Sequence, residues 1–441
     1  MTTIRVLDAR ALGAEAVVRA LERPPAAIDR GVQQAVDQIL ADVRERGDQA
    51  LVELTARFDK FVAPSAEALR IGSVEFDAAD RAVAPATRAA LAYAAERIER
   101  YHAAALPKSW RITDEHGSVL GQEIRPLERV GVYIPGGRAA YPSTVLMTAL
   151  PARVAGVREI VLVTPPHADG GVDPVVLVAA RLAGVTEAYR VGGAQAIGAL
   201  AFGTATIRRV DKIVGPGNVY VALAKSRVFG EVGIDMVAGP SEVVVVADGA
   251  ADPEWIAADL LAQAEHDPMA RAVLLTDAEA LVPRVERALE RQLAALPRRA
   301  IAAEALARHG ALVLVASLED AVDLANRLAP EHLELLVGVP ASLLPRVRHA
   351  GAVFLGGQTP EVVGDYVAGP SHVLPTAGTA RFSSPLGVED FVKRTSVIEY
   401  SRPGLVAARA HLAALTEVEG LPGHGRAAEV RLNAMDGGDG Q

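Results

Sequence analysis

The sequence predicts an α/β fold of two doubly wound domains, one inserted in the other, with helical extensions at both ends. Three observations carry that expectation. From residue 130 onward, short apolar runs alternate with helix-length stretches, the mark of parallel βαβ construction. Gly-rich turns follow several runs: IPGGR (134–138), VGGAQAIG (191–198) and VGPGNVY (214–220). The alternation falls into two blocks, the second opening at Ser241.

In chain order, residues 1–25 read as a short helical extension ended by Pro24-Pro25. From Asp29 to Phe58, Val32, Val36, Ile39, Leu40 and Val43 recur at helical spacing, and Gly47-Asp48 divides the run into two helices. A further helical run covers 86–106. Strand candidates in the first block are VGVYI (130–134), EIVLVT (159–164), EAYRV (187–191) and DKIV (211–214), with helices near 142–154, 172–183 and 194–202. The second block offers EVVVVAD (242–248), AVLLT (272–276), ALVLV (311–315), LELLV (333–337) and AVFLG (352–356). Helices near 253–265, 278–295 and 318–328 lie between them. The expected organisation is therefore an inserted α/β domain, 130–240, interrupting another made of 26–129 and 241–385. The N-terminal helices are expected to pack with the second block. After SVIEY (396–400) comes a helical tail, 386–441 being read as a helical extension, and the closing DGGDGQ is expected to be disordered.

Composition narrows the function. At 441 residues the chain has room for two or three domains. Half the residues are hydrophobic and 22% are charged, the balance of a globular protein. A net charge of −9 with no long basic run argues against nucleic-acid or anionic-membrane partners. No apolar run approaches a membrane span and the N-terminus is not a secretory signal, so a cytoplasmic protein is expected. Cysteine is absent, which excludes disulfides, thiolate metal sites and a cysteine nucleophile.

Four stretches carry chemistry. AADLLAQAEHDP (257–268) reads as an amphipathic helix stopped by Pro268, with Gln263 and His266 on one face. An amide oxygen beside an imidazole forms half of a metal or substrate site; the alternative is a solvated helix end. In LAPEHLEL (328–335), Glu331 and His332 are adjacent bases of different pKa, suited to handling two protons in succession, or else a surface pair. TPEVVGDYVAGPSHVLPT (359–376) holds Asp365 and His372 in a Gly- and Pro-rich segment not expected to be regular helix. EVEGLPGHGR (417–426) carries Glu419 and His424 in an otherwise peripheral tail, where a ligand would have to reach its own subunit's site or a partner's. None of the Gly-rich turns is a true G-x-G-x-x-G, so the standard dinucleotide fingerprint is missing. Asn218 serves either a nucleotide or a helix N-cap.

Together these stretches resemble the histidinol dehydrogenase family over essentially the full length. The resemblance rests on ERVGVYIPGGRAAYPSTVLM (128–147), GGAQAIGALAFGT (192–204), VDKIVGPGN (210–218), AGPSEV (238–243), DLLAQAEHDP (259–268), APEHLEL (329–335), TPEVVGDYVAGPSHVLPTAGTARF (359–382) and EGLPGH (419–424). It implies two Rossmann-like domains and a zinc-dependent, NAD-linked oxidation of L-histidinol to L-histidine, the last step of histidine synthesis. By matched position, Gln263, His266, Asp365 and His424 would ligate zinc, His424 coming from the other subunit of an intertwined homodimer. Glu331 and His332 match the catalytic pair, and Tyr133, Gln195 and Asn218 match NAD contacts. Ser241, His372 and Glu419 match substrate contacts, with Gln263, His266, His332, Asp365 and His424 bordering the substrate as well. SSPLGVEDF (383–391) follows the family loosely, with Pro385 where a glycine is common.

On that reading His332 takes the hydroxyl protons and Glu331 activates the water that adds to the aldehyde, a role no cysteine can fill here. Zinc anchors the substrate's imidazole and amino nitrogens. Three rivals remain: a zinc and NAD dehydrogenase of another small alcohol, a zinc-dependent hydrolase, and a catalytically silent metal-binding protein.

Overall fold

The computed structural model describes residues 4–22, 29–136, 140–237 and 239–436. Its strands are β1 (Arg5–Asp8), β2 (Trp110–Thr113), β3 (Val119–Pro126), β4 (Arg129–Tyr133), β5 (Glu159–Val163), β6 (Glu187–Tyr189), β7 (Lys212–Val214) and β8 (Gly233–Ile234). Then follow β9 (Glu242–Ala247), β10 (Arg271–Thr276), β11 (Ala311–Leu314), β12 (His332–Leu336), β13 (Ala352–Leu355) and β14 (Val392–Glu399). They form three sheets, ordered β6-β5-β4-β7-β8, β1-β11-β10-β9-β12-β13 and β14-β3-β2. The first two are parallel, the third antiparallel.

The two parallel sheets share a winding rule. In each, the first strand of the block lies in the middle, the next two add on one side and the last two on the other. The order therefore reverses between β4 and β7, and again between β9 and β12. Reversal points open crevices at the carboxyl ends of the strands, where α/β proteins bind ligands.

The valine run of β9 shows why the second sheet is closed on both faces. Val243, Val245 and Ala247 join one apolar cluster with the helices Pro253–Ala264, Val282–Ala295 and Arg299–His309. Val244 and Val246 point the other way, into a cluster with the helices Ala14–Leu21 and Leu318–Leu328. A parallel strand buried on both faces reads as an unbroken apolar run rather than an alternation.

Four expectations about organisation need correction. The helices Arg30–Arg46 and Asp48–Phe58 pack on the first parallel sheet's helices, not on the second block. Val36, Ile39, Leu40 and Val43 enter the same cluster as Val161, Ile197 and Leu200, and Gly198 admits them closely. Periodicity identifies an apolar face, but not the face it will meet. The N-terminal stretch is not purely helical, because β1 pairs in parallel with β11; four residues are too few to display a period. Trp110–Pro126, placed in an α/β domain, instead forms β2 and β3 beside β14, so that 386–441 is not a purely helical tail. TPEVVGDY does include a regular helix, Glu361–Tyr366, in which Gly364 lies close against Phe354. Pro24-Pro25, Gly137-Arg138 and residues 437–441 lie outside the described residues.

Compactness divides the chain into two units: 1–105 with 127–391, and 106–126 with 392–441. The first carries both parallel sheets. The second carries the antiparallel sheet and the helices Arg402–Val418 and Pro422–Asp436.

Candidate active site and metal centre

Glu331 and His332 stand at the amino end of β12, beside the amino end of β9. The helix Leu318–Leu328 stops at Ala329, which takes a left-handed conformation (φ 46, ψ 62) unusual for a residue with a Cβ. Pro330 follows, and its carbonyl accepts from Gly351 N–H at 2.9 Å. A Cβ on Gly351 would lie 2.5 Å from the Glu331 carbonyl oxygen, so this approach requires glycine. The turn delivers Glu331 and His332 into the interior, where both are buried.

Backbone polar groups of Glu242 organise the pair. Glu242 N–H donates to Glu331 Oε2 at 2.9 Å, and His332 Nδ1 lies 3.1 Å from the Glu242 carbonyl oxygen. The nearby Ser241 hydroxyl favours the ionised Glu331 carboxylate, against the larger effect of burial. Burial pushes the Glu331 carboxyl well up from its usual range and His332 down to about 3. His332 Nε2 has no hydrogen-bond partner. Buried polar atoms are rarely left unpaired, and one at a chemical site is an available functional group.

The helix Pro253–Ala264 brings Gln263 to the same place. Pro at its first turn and the Asp252 carboxylate on Glu254 N–H start it; Glu265 caps its end. Gln263 is fully buried in its last turn. His266 falls beyond the helix end, in a turn closed by its own N–H on the Gln263 carbonyl at 3.2 Å. The two are therefore not stacked on one helical face, as their spacing predicts. His266 keeps exposed surface, yet surrounding protein desolvates the imidazole enough to lower its pKa.

Opposite them, the helix Glu361–Tyr366 presents Glu361 and Asp365, four apart and so on one face. Ligand atoms of His266, Glu361 and Asp365 all lie within 4.8 Å of one another. Desolvation raises the Asp365 carboxyl to about 6 and Glu361 well above its usual range. Behind them burial raises Asp259 to about 6 and also raises Glu334, whose Oε1 accepts from Glu361 N–H at 3.1 Å. Arg271 answers the buried Glu242. The remaining carboxyls make the pocket short of positive charge, which either protons or a divalent cation can supply. An imidazole, two carboxylates and the adjoining Gln263 amide are a donor set that fits zinc.

His372 lies beside the metal-competent cluster. Its Nδ1 is 2.9 Å from the Asp365 carbonyl oxygen and its Nε2 is 3.2 Å from Thr144 Oγ1. Burial lowers its pKa to about 4. Thr144 belongs to the helix Pro142–Ala155 that follows β4, so this contact joins the two parallel sheets.

Tyr133 and the GPGN turn flank the reversal between β4 and β7; Gln195 lies beyond β6. Tyr133 ends β4, buried, with its hydroxyl accepting from Gly193 N–H at 3.2 Å and pushed up to about 12 by desolvation. Gln195 is buried in the first turn of the helix Gly193–Phe202, and its Nε2 lacks a partner. Asn218 follows β7 and caps the helix Val219–Val228, accepting from Tyr220 and Val221 N–H at 3.1 and 3.2 Å. Its oxygen serves as a cap, and only its amide nitrogen remains for a ligand. Gly215 takes φ 110, and a Cβ there would meet the Tyr133 carbonyl oxygen at 2.2 Å.

Ser241, Gln263, His266, Glu331, His332, Asp365 and His372 thus belong to the first unit. Glu419 and His424 belong to the second, where both are exposed; Glu419 caps the helix Arg402–Val418 and His424 lies in the first turn of the next. Glu361 and Thr144 are absent from the sequence-derived site. The Glu361-to-Asp365 spacing was the available signal, but it is informative only once the segment is helical.

Two doubly wound sheets, a buried Glu-His pair and a cation-competent cluster define an α/β protein with a metal-competent active site. The family model for histidinol dehydrogenase matches residues 22–432. A histidinol dehydrogenase of Syntrophotalea carbinolica is 53% identical over 423 residues, 96% of each chain. That of Rhodospirillum rubrum is 56% identical over 403 residues, 91% of this chain and 92% of the relative. The crystal structure of histidinol dehydrogenase from Elizabethkingia anophelis superposes with a TM-score of 0.94 at 37% identity, covering 98% of this chain and 99% of that one. The chain belongs to the histidinol dehydrogenase family. Among the described residues no helix is long and apolar enough to cross a membrane.

Proposed function

We propose that this chain oxidises L-histidinol through L-histidinaldehyde to L-histidine, with NAD as acceptor and zinc at the substrate site. The observation that carries the reading is the buried His332 Nε2, left without a partner beside Glu331 and the His266, Glu361 and Asp365 cluster. With Nδ1 hydrogen-bonded to Glu242, Nε2 holds the lone pair that takes the hydroxyl proton at each oxidation. Glu331 takes a proton from the water that adds to the aldehyde. Buried surroundings shield that aldehyde from stray nucleophiles.

Gln263, His266, Asp365 and His424 of the partner subunit would hold zinc, which when bound anchors the substrate's imidazole and amino nitrogens. Ser241, His372 and Glu419 would orient the rest of the substrate. Tyr133, Gln195 and Asn218 would hold NAD, which would take one hydride in each oxidation, so that two NAD are used for each histidine. The mouth beside β4 and β7 is where a doubly wound sheet presents backbone N–H groups to phosphates.

The deciding experiment is NADH formation with L-histidinol before chelation, after it, and after zinc is restored. The expected result is two NADH for each histidine, lost on chelation and recovered with zinc. A folded, zinc-loaded protein forming no NADH would overturn the reading.

A further inference from the structure

Backbone groups aim Glu331 and His332, so whatever fixes that backbone fixes the aim. Glu242 is the first residue of β9, a strand end, where the ladder holds from one direction only. Its N–H nonetheless has to stay 2.9 Å from Glu331 Oε2, and its carbonyl oxygen 3.1 Å from His332 Nδ1. A misplacement of about 1 Å at a reacting site can cost roughly 100-fold in rate.

The Glu242 side chain supplies the hold. Its carboxylate forms an ion pair with the Arg271 guanidinium, both side chains buried. Oε1 of the same carboxylate accepts from Ala377 N–H at 3.0 Å. Arg271 heads β10 opposite Glu242 in the parallel register, and its own N–H donates to the Ser241 carbonyl at 3.1 Å. Its Nη1 donates to the Leu21 carbonyl at 3.1 Å, at the end of the helix Ala14–Leu21. The segment around Ala377 is fastened as well, Gly239 N–H donating to Thr376 Oγ1 at 2.6 Å. Glu242 is thus gripped both by β10 and by the segment that follows His372.

We infer that Glu242 and Arg271 are positioning residues for the reaction: their ion pair, completed by Ala377 N–H, holds the backbone N–H and carbonyl that aim Glu331 and His332. This rests on the base reading above. For stability alone an apolar pair of similar volume often serves as well as a buried ion pair. Fixing one geometry through directional bonds is the part that an apolar pair cannot take over.

That difference supplies the test, made on the full-length, zinc-loaded protein. The paired change Glu242→Leu with Arg271→Met replaces both charges together and leaves neither buried alone. It is expected to fold, and to lower kcat roughly 10–100-fold while KM for L-histidinol moves far less. Arg271→Lys keeps the cation and is expected to retain most of kcat. In a His332→Asn background the paired change is expected to cost only a few-fold more, because no base is left to aim. Nitrogen NMR of labelled histidines in the metal-free protein gives a second readout. His332 is expected to carry its proton on Nδ1 in the wild type and to mix tautomers in the paired variant. Should the paired variant not fold, Arg271→Gln, which keeps a donor and drops the charge, enters the same cycle.

Wild-type kcat and an unchanged His332 tautomer in the folded variants would overturn the proposal. So would a rise in KM with kcat retained, which would mean that the pair serves substrate binding. An equal loss with and without His332 would show that the pair acts by another route, and overturn it too. Full kcat in His332→Asn itself would instead remove the base reading, and this proposal with it.

Discussion

His332 Nδ1 lies 3.1 Å from the carbonyl oxygen of Glu242, an acceptor that only a protonated Nδ1 can satisfy. The neutral ring then carries its lone pair on Nε2, the atom left without a partner. A backbone carbonyl has thereby fixed the tautomer that a base requires. His332→Asn retains a donor for Glu242 but has no basic nitrogen. We expect kcat to fall by roughly 100–10,000-fold, with KM and thermal stability little changed. Steady-state NADH formation checks this, and a loss of only a few-fold would remove His332 as the base.

Glu331→Gln separates the two oxidations. The amide oxygen can still accept from Glu242 N–H, so the site keeps its shape, but the side chain cannot take a proton from water. The second oxidation needs that water and the first does not. The expected outcome is a yield falling from two NADH per substrate toward one, with oxidation of added L-histidinaldehyde slowed more than that of L-histidinol. Equal slowing of both steps would show that Glu331 does not act specifically on water.

Glu419 and His424 are carried on a unit separate from the Gln263 and Glu331 site, and under the proposed function His424 serves the partner's site. Glu331→Gln chains, unable to complete the second oxidation, and His424→Ala chains are therefore expected to recover histidine formation when subunits exchange, since a mixed dimer has one intact site. Confirmed exchange without recovery would place His424 in its own subunit's site.

The parts of this fold legible in the sequence are those whose signal is local. The β9 valines, the βαβ alternation and the Gly-rich turns each announce themselves within a few residues. Glu331-His332 was readable as a pair for the same reason. Partnership was not readable. Val36, Ile39, Leu40 and Val43 define a helical face, but the helix Gly193–Phe202 that receives it lies over 140 residues on. Trp110–Thr113 becomes a strand because Val119–Pro126 pairs with it and with Val392–Glu399, a register no period reveals. Glu361 was missed because a Gly- and Pro-rich segment hid six helical residues, and only the helix puts it beside Asp365.

Lys225 and Asp235 form a buried ion pair, both side chains about 2% exposed or less. Each also holds Gly215: Lys225 Nζ donates to its carbonyl at 2.9 Å and Asp235 Oδ2 accepts from its N–H at 2.8 Å. The pair thus clamps the turn that precedes Asn218. Lys225→Met leaves the Asp235 carboxylate buried without its cation, a change that costs about 3–5 kcal/mol. We expect a lower unfolding midpoint and, where the variant remains folded, a raised KM for NAD with KM for histidinol less affected. An unchanged KM for NAD would dissociate this turn from the cofactor.

His102 gives a pH dependence that is independent of catalysis. It is 2% exposed in the helix Pro85–Ala105, both ring nitrogens lack partners, and burial lowers its pKa from 6.5 to about 4. Between those values the unfolded chain binds a proton that the folded one refuses, so stability rises with pH through this window. Below about 4 the folded state is protonated too and the slope from this group ends. The full shift is worth about 3 kcal/mol on the scale of 1.36 kcal/mol per unit. His102→Leu removes the titrating group and keeps an apolar side chain of similar reach. Urea unfolding at pH 8 and pH 5 is expected to give similar stabilities for the two proteins at the higher pH and a clear advantage for the leucine variant at the lower. A stability difference that does not change with pH would mean that the folded protein lets His102 ionise in place.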